Sequence, residues 1–178
     1  LVALPLVGSG STWLTLTVAG LAMGTIVFIV ASGLTLVFGL MDVLNFGHGV
    51  FLALGAYVAV SSFGAMAGYA ASPSLAMNLV AVFAAIGIAM LAAGALGLAF
   101  ERVVVKPVYG HHLKQILITM GGMIVGEELI KLVWGPVPIA LPLPETLRGS
   151  FVIGEAIVEK FRVLATVIGA VVFVVLAW

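Results

Sequence analysis

The stretch TWLTLTVAGLAMGTIVFIVASGLTLVFGLM, residues 12–41, contains 30 consecutive residues without a charge. A transmembrane helix needs about 20 predominantly apolar residues to cross the hydrocarbon core of a bilayer. The stretch is therefore long enough for one tilted span, or for one span and part of another. It predicts an integral membrane protein.

The composition of the whole chain leads to the same class. Hydrophobic residues make up 63% of the sequence, charged residues only 8%, and the mean hydropathy is +1.35. Soluble domains carry about 25% charged residues, so this chain could not cover its own surface in water. Seven basic residues balance seven acidic ones, which gives no indication of a nucleic-acid partner. Cysteine is absent, and this excludes disulfides, thiolate catalysis and sulfur-ligated metal.

Further apolar stretches predict an all-α, polytopic transmembrane helix bundle with about five spans. The four beyond residues 12–41 are Val50–Gly68, Ser74–Phe100, Gln115–Trp134 and a last one from Val163 onward. The last apolar run, 163–178, has 16 residues and is shorter than a full span. We therefore expect a single transmembrane domain over 1–178 that is a fragment, incomplete at its C-terminus. Three Gly-x-x-x-Gly motifs, which begin at Gly20, Gly64 and Gly122, support a packed bundle of helices but predict no particular helix pair, because some matches arise by chance among 22 glycines.

Two polar connections set the expected orientation. Residues 101–114 and 135–162 each contain three Lys or Arg residues, but the first connection is half as long. The positive-inside rule therefore places 101–114 in the cytoplasm and 135–162 outside. Four prolines within 135–144 predict extended chain. The rest of the external loop, 145–162, predicts either a short hairpin or an amphipathic turn on the membrane surface.

The segment GLMDVLNFGHG, residues 39–49, carries the candidate functional residues. Asp42 is the only Asp, Glu, Lys or Arg in residues 1–100, and Asn45 and His48 follow it at intervals of three. An ionisable residue between spans is a functional candidate by default. Glycines can break the helix there and free backbone groups toward a substrate pathway; they are Gly39, Gly47 and Gly49. The alternative is a tight interfacial turn in which Asp42 caps a helix and His48 is structural.

A second group of charges lies near the end of the fourth predicted span. Lys131 follows Glu127 and Glu128 at the i+4 and i+3 positions, so it can reach either carboxylate on a helix. The pair could face the bundle interior, or it could anchor the span at the membrane interface beside Trp134.

Several chemistries find no support in the sequence. No Lys precedes a Ser or Thr, so a Walker A phosphate loop is absent, and no His-Glu-x-x-His metal motif occurs.

Two other functions stay open. Ser32 and His48 allow an intramembrane serine hydrolase, although 16 residues and a turn separate them. A membrane scaffold without transport activity is the other alternative.

Specific motifs resemble the branched-chain amino acid ABC transporter permeases of the LivH/LivM type. The matching segments run in family order from about residue 20 to residue 135: Gly33-Leu-Thr-Leu-Val-Phe-Gly39, Met41-Asp-Val-Leu-Asn-Phe-Gly-His-Gly49, Leu54-Gly-Ala-Tyr57, Glu101-Arg-x-x-x-Lys-Pro107 and Thr119-Met-Gly-Gly122. The Asn-Phe-Gly-His-Gly block, 45–49, is the most specific of these.

The resemblance implies a permease subunit of an ATP-driven importer for branched-chain amino acids, or for related small solutes such as urea or amides. Such a subunit is not an enzyme and binds no cofactor. It pairs with a similar permease, two ATP-binding subunits and a periplasmic or surface-anchored substrate-binding protein in the plasma (inner) membrane of a bacterium or archaeon. By analogy, the substrate pathway would include Asn45 and His48, with Gly47, Gly49 and Asp42 around them.

Overall fold

The computed structural model describes residues 9–41, 45–153 and 155–177, and these are almost entirely helical. The helices are α1 Gly10–Met41, α2 His48–Ala65, α3 Ala67–Ala70, α4 Leu75–Phe100, α5 His112–Trp134 and α6 Lys160–Ala177. A two-stranded sheet is formed by β1 Ser150–Ile153 and β2 Ala156–Glu159. The predicted all-α class is confirmed, and each of the five predicted stretches is helical, although 50–68 is divided between α2 and the start of α3.

Three helical stretches in the described part of the chain are long and apolar enough to cross a membrane: Gly10–Leu40, His48–Ala65 and Leu75–Val108. Helix α5 is less apolar because it carries four charged residues, Lys114, Glu127, Glu128 and Lys131. The expected total of about five spans therefore stays a prediction.

The third candidate span ends later than the sequence suggested. The expected polar connection begins at Glu101, but the chain continues as a π-helical turn over Glu101–Val105 and a 3₁₀ turn over Lys106–Val108. No glycine or proline interrupts this stretch before Pro107, which lies in the first turn of the 3₁₀ segment, where its missing N–H costs little.

The chain forms two compact units, and the first comprises residues 9–33 and 147–177. Its strands pair antiparallel, with Phe151 opposite Val158, so the hairpin is the correct alternative for this part of the loop. Within this unit the rings of Phe28 and Phe173 lie 5.2 Å apart in an edge-to-face arrangement. The Ile157 N–H donates a hydrogen bond to Thr15 Oγ1 at 3.3 Å.

The second compact unit comprises residues 34–146. Helices α2 and α4 make its most extensive contact, around Phe63, Ala81 and Ala85, which are at most 5% exposed. Small alanine side chains on one face of α4 allow the neighbouring backbone to come close, as is usual for helix pairs in membranes. Residues 135–144 adopt neither helix nor strand, in agreement with their four prolines.

The distribution of polarity is the reverse of that in a soluble protein. The buried polar residues of the described chain are Asn78, Gln115 and Thr119, each at most 2% exposed. Large apolar side chains face outward, and Leu132, for example, is 81% exposed. Hydrocarbon makes an outward-facing leucine favourable and gives polar side chains a reason to lie inside.

Candidate functional site

The Asn45–His48 segment is a tight turn that leads into helix α2. The Gly47 N–H donates to Asn45 Oδ1 at 3.0 Å, and the His48 N–H donates to the Asn45 carbonyl at 3.2 Å. A side-chain oxygen that accepts from the backbone two residues later is the arrangement of an Asx turn. Asn45 therefore shapes the turn through its own side chain, whatever further role it has.

This turn rests on helix α5. The Phe46 N–H donates to Thr119 Oγ1 at 3.3 Å, and the Thr119 hydroxyl donates to the Gln115 carbonyl at 2.8 Å. Gly47 is buried, and a Cβ at its position would lie 3.1 Å from Asn45 Oδ1 and 3.5 Å from the Thr119 carbonyl oxygen. A methyl group at 47 would therefore crowd the Asn45 amide oxygen, whereas its distance to the Thr119 carbonyl would be an ordinary van der Waals contact.

Two buried polar atoms near this contact have no hydrogen-bond partner among the described residues. They are Nε2 of His48 and Oε1 of Gln115. A buried polar group without a partner costs about 1–3 kcal/mol. Native structures keep few such groups, and they call for a physical explanation such as a ligand or solvent.

An apolar cavity of about 900 Å³ opens beside the turn, between α2, the end of α4 with its π turn, and α5. Its walls include the rings of Phe51 and Phe100, whose centroids are 5.4 Å apart in an edge-to-face arrangement. Gly47 lies in the lining and joins the polar turn to the cavity. Most other lining residues are aliphatic or glycine: Val50, Leu54, Leu96, Ala99, Val103, Val104, Leu117, Ile118, Gly121, Gly122, Val125, Gly126 and Leu129.

Close packing at the cavity depends on one of the three predicted glycine motifs. A Cβ at Gly122 would lie 2.5 Å from the Phe100 ring, and a Cβ at Gly126 would lie 2.5 Å from Val50 Cγ1. The motifs that begin at Gly20 and Gly64 have no atoms within 4 Å of either added Cβ. The spacing alone could not separate a used motif from unused ones, because glycine is common throughout the chain.

The remaining predicted site residues are placed as follows. Gly49 is exposed, and a Cβ there would meet no atom within 4 Å. Asp42 lies outside the described residues. On α5, Lys131 Nζ donates to Glu128 Oε1 at 2.7 Å, with both side chains at least half exposed, and Glu127 is exposed as well.

The hydroxyl of Ser32 is used locally, since it donates to the Ile29 carbonyl of the same helix at 2.9 Å. No group of three or more His, Asp or Glu residues in the described chain is arranged to hold a metal ion.

At the polar end of the third candidate span, the Tyr109 hydroxyl donates to Glu101 Oε1 at 2.6 Å. This hydrogen bond to a carboxylate, together with partial desolvation and the negative charge of Glu101, raises the pKa of Tyr109 to about 12. The bond ties the chain after the 3₁₀ turn back to the start of the π turn.

Sequence reasoning did not single out Gln115 or the hydroxyl of Thr119, both of which are buried. The available signal was their i, i+4 spacing around the apolar residues 116–118 of α5. The turn contacts Thr119 through a hydrogen bond that joins residues 73 positions apart, which the sequence pattern does not reveal.

Comparison with known proteins agrees with the sequence motifs. The high-affinity branched-chain amino acid transport system permease protein LivH of Escherichia coli K12 is 29% identical over 157 residues, which cover 88% of this chain and 48% of that protein. LivH of Salmonella typhimurium matches with the same identity and coverage. The corresponding protein BraD of Pseudomonas aeruginosa is 29% identical over 140 residues, 78% of this chain and 44% of BraD.

The chain thus spans about half the length of these relatives. No solved structure matches it significantly. Residues 16–141, well over half of the chain, match the family described as "Branched-chain amino acid transport system / permease component". The chain therefore belongs to this family of membrane permease components.

Proposed function

We propose that the protein is the membrane-spanning permease subunit of an ATP-driven importer of branched-chain amino acids, in the plasma membrane of a bacterium or archaeon. The relatives are named as permease proteins of high-affinity branched-chain amino acid transport systems, which supports the substrate class. The subunit itself moves the solute and is not an enzyme.

The observation that carries the proposal is the polar turn at the edge of an apolar cavity. Gly47 belongs both to the Asn45–His48 turn and to the lining of the cavity of about 900 Å³. A branched-chain amino acid needs the same two surroundings, since its side chain is apolar and its backbone groups are charged. Ligand sites commonly combine apolar walls with a small number of placed polar groups.

The cavity also bears on the choice among substrates. Urea and short amides are small and polar, and they would gain little from aliphatic and aromatic walls. A leucine, isoleucine or valine side chain gains about 25 cal/mol for each Å² of apolar surface it removes from water. The apolar lining therefore favours branched-chain amino acids over urea and amides.

Transport by such a subunit requires partners. We expect a second, homologous permease subunit, two ATP-binding subunits that hydrolyse ATP, and a periplasmic or surface-anchored binding protein that delivers the substrate. ATP would act by shifting the population between two packings of the helices that open to opposite sides. In this arrangement 101–114 would face the cytoplasm and the ATPases, and 135–162 would face the binding protein.

The experiment is leucine uptake by the full-length protein, reconstituted in vesicles with its ATP-binding and substrate-binding partners. We expect His48→Leu to reduce the uptake rate at least about tenfold, which corresponds to about 1.4 kcal/mol. Asn45→Leu should also reduce uptake, because it removes the Gly47 hydrogen bond that shapes the turn. Both variants should still insert into the membrane.

Normal uptake by both variants would show that the turn is not part of the substrate pathway. ATP-dependent uptake of urea but not of leucine would show that branched-chain amino acids are not the substrates. Failure to co-purify with an ATPase would support a non-transporting scaffold. Covalent labelling of Ser32 by a fluorophosphonate would support a hydrolase, and we expect no labelling.

A further inference from the structure

Thr119 on helix α5 is the residue on which the Asn45–His48 turn rests. Its Oγ1 atom accepts the Phe46 N–H at 3.3 Å and donates to two carbonyls of its own helix, Gln115 at 2.8 Å and Ile116 at 3.2 Å. The residue is 0% exposed. One buried hydroxyl therefore acts as an acceptor toward the turn and as a donor toward the helix.

The turn also lies beside the backbone of α5 at this point. A Cβ added to Gly47 would be in van der Waals contact with the Thr119 carbonyl oxygen, at 3.5 Å. Gly47 lines the apolar cavity, and so do three residues that flank Thr119 on α5, namely Ile118, Gly121 and Gly122. The contact therefore joins the polar turn to one wall of the cavity.

This contact lies well away from the polar start of α5. The helix begins at His112, so Thr119 is seven residues, or about 10 Å, along it. Helix α5 is the predicted fourth span, and backbone groups within a span have no water to bond and need a partner in the protein. The Phe46 N–H meets this requirement through the Thr119 hydroxyl. Without that hydroxyl, the turn should be free to move relative to α5 and the cavity.

We propose that Thr119 is a positioning residue for transport, whose hydroxyl holds the polar turn at the edge of the apolar cavity. This rests on the proposed permease function, in which the turn forms part of the substrate pathway. Asn45 shapes the turn from within, whereas Thr119 fixes where the turn lies. Thr119 acts through the turn and does not itself need to touch the substrate.

The test is leucine uptake by the full-length protein in its reconstituted transporter, expressed as the rate per assembled transporter. Thr119→Val keeps the branched shape of the side chain and removes the hydroxyl, whereas Thr119→Ser keeps the hydroxyl. We expect the valine variant to lose about tenfold in rate, the upper range for one hydrogen bond, and the serine variant to stay within about twofold of the unaltered protein.

Thr17→Val is the matched control. The Thr17 hydroxyl also donates to the carbonyl four residues earlier on its own helix, that of Trp13, at 2.8 Å. Thr17 lies on α1 in the first compact unit and not beneath the turn. This variant removes the same kind of bond within a helix and should transport like the unaltered protein.

Two further measurements separate positioning from a purely structural role. Amide hydrogen exchange of residues 45–48 should be faster in Thr119→Val than in the unaltered protein, and unchanged in Thr17→Val. Asn45→Leu combined with Thr119→Val should reduce uptake little beyond the stronger single variant, because both act through the same turn. A residue that only supports folding would instead lower the amount of assembled transporter and leave the rate per transporter unchanged.

The outcomes distinguish this inference from the proposed function. The inference is overturned, and the permease function left intact, by a normal rate per transporter in Thr119→Val, by an equal loss in Thr119→Ser, by unchanged exchange in 45–48, or by additive losses in the double variant. If Thr119→Val does not assemble, Thr119→Cys replaces it under the same criteria, since a thiol is only a weak hydrogen-bonding group. If the unaltered transporter moves no leucine at all, the proposed function fails first.

Discussion

Thr146 donates two hydrogen bonds to one oxygen of Asn78, from its backbone N–H at 2.9 Å and from its hydroxyl at 2.7 Å. Asn78 is fully buried in the first turn of α4, and its amide nitrogen donates to the carbonyls of Tyr69, Ala70 and Ser72. One side chain therefore joins the α3–α4 turn to the chain just after the proline-rich segment 135–144. Both donor and acceptor capacity of the amide is used, which makes this a structural junction rather than a ligand site.

We expect Asn78→Leu to destabilise the protein by about 3 kcal/mol, because it leaves several buried backbone and side-chain groups without partners. Thermal unfolding in detergent measures the loss, and limited proteolysis should cut near Thr146 in the variant. Thr146→Val is the matched control: it keeps the backbone N–H bond to Asn78 and should cost only about 1 kcal/mol. Equal stability of the Asn78 variant and the unaltered protein would contradict the junction.

The glycines of α5 should differ in their tolerance of a methyl group. Gly126→Ala should destabilise by about 1–3 kcal/mol, because its Cβ meets Val50 Cγ1 at 2.5 Å and a β-branched side chain cannot easily turn away. Gly121→Ala is the control on the same helix, with no atom within 4 Å of the new Cβ. It should stabilise by up to about 1 kcal/mol through helix propensity. Thermal unfolding distinguishes them, and the reverse order would show that Gly126 does not pack on Val50.

The titration of Tyr109 should occur near pH 12. The folded pKa lies above the ordinary value of 10.0, so the bond to Glu101 stabilises the protein below pH 10 and loses this effect as pH rises toward 12. Phenolate absorbance, taken as the difference between the unaltered protein and Tyr109→Phe, isolates this residue from the two other tyrosines. Glu101→Gln should lower the pKa of Tyr109, since it removes the negative charge. A Tyr109 transition near pH 10 in the unaltered protein would contradict the bond.

The exposed ion pair on α5 should contribute little to stability. Lys131 and Glu128 are 50% and 66% exposed at a separation of 2.7 Å. Solvent and salt screen exposed pairs, so Lys131→Met should leave the melting temperature in detergent almost unchanged. A clear fall in the melting temperature of the assembled transporter would instead place the pair in a buried interface.

The sequence by itself determined the membrane environment, the helical class and the approximate helix positions. Uncharged runs of span length leave no other stable conformation in a bilayer, where every backbone polar group must be bonded within its own segment. The sequence also determined the extended segment, because four prolines within 135–144 exclude a helix. The family followed from the motif around Asn45 and His48 and from the further family motifs, which occur in the same order along the chain.

Only the tertiary structure decided which polar and small residues meet. The hydrogen bond from Phe46 to Thr119 joins segments 73 residues apart. The junction of Asn78 with Thr146 spans 68 residues, and one of three identical glycine motifs is used for close packing. Helices that are apolar on all sides carry almost no periodic signal of which face turns inward. Packing and the few buried hydrogen bonds make that choice, and they depend on neighbours that are distant in the sequence.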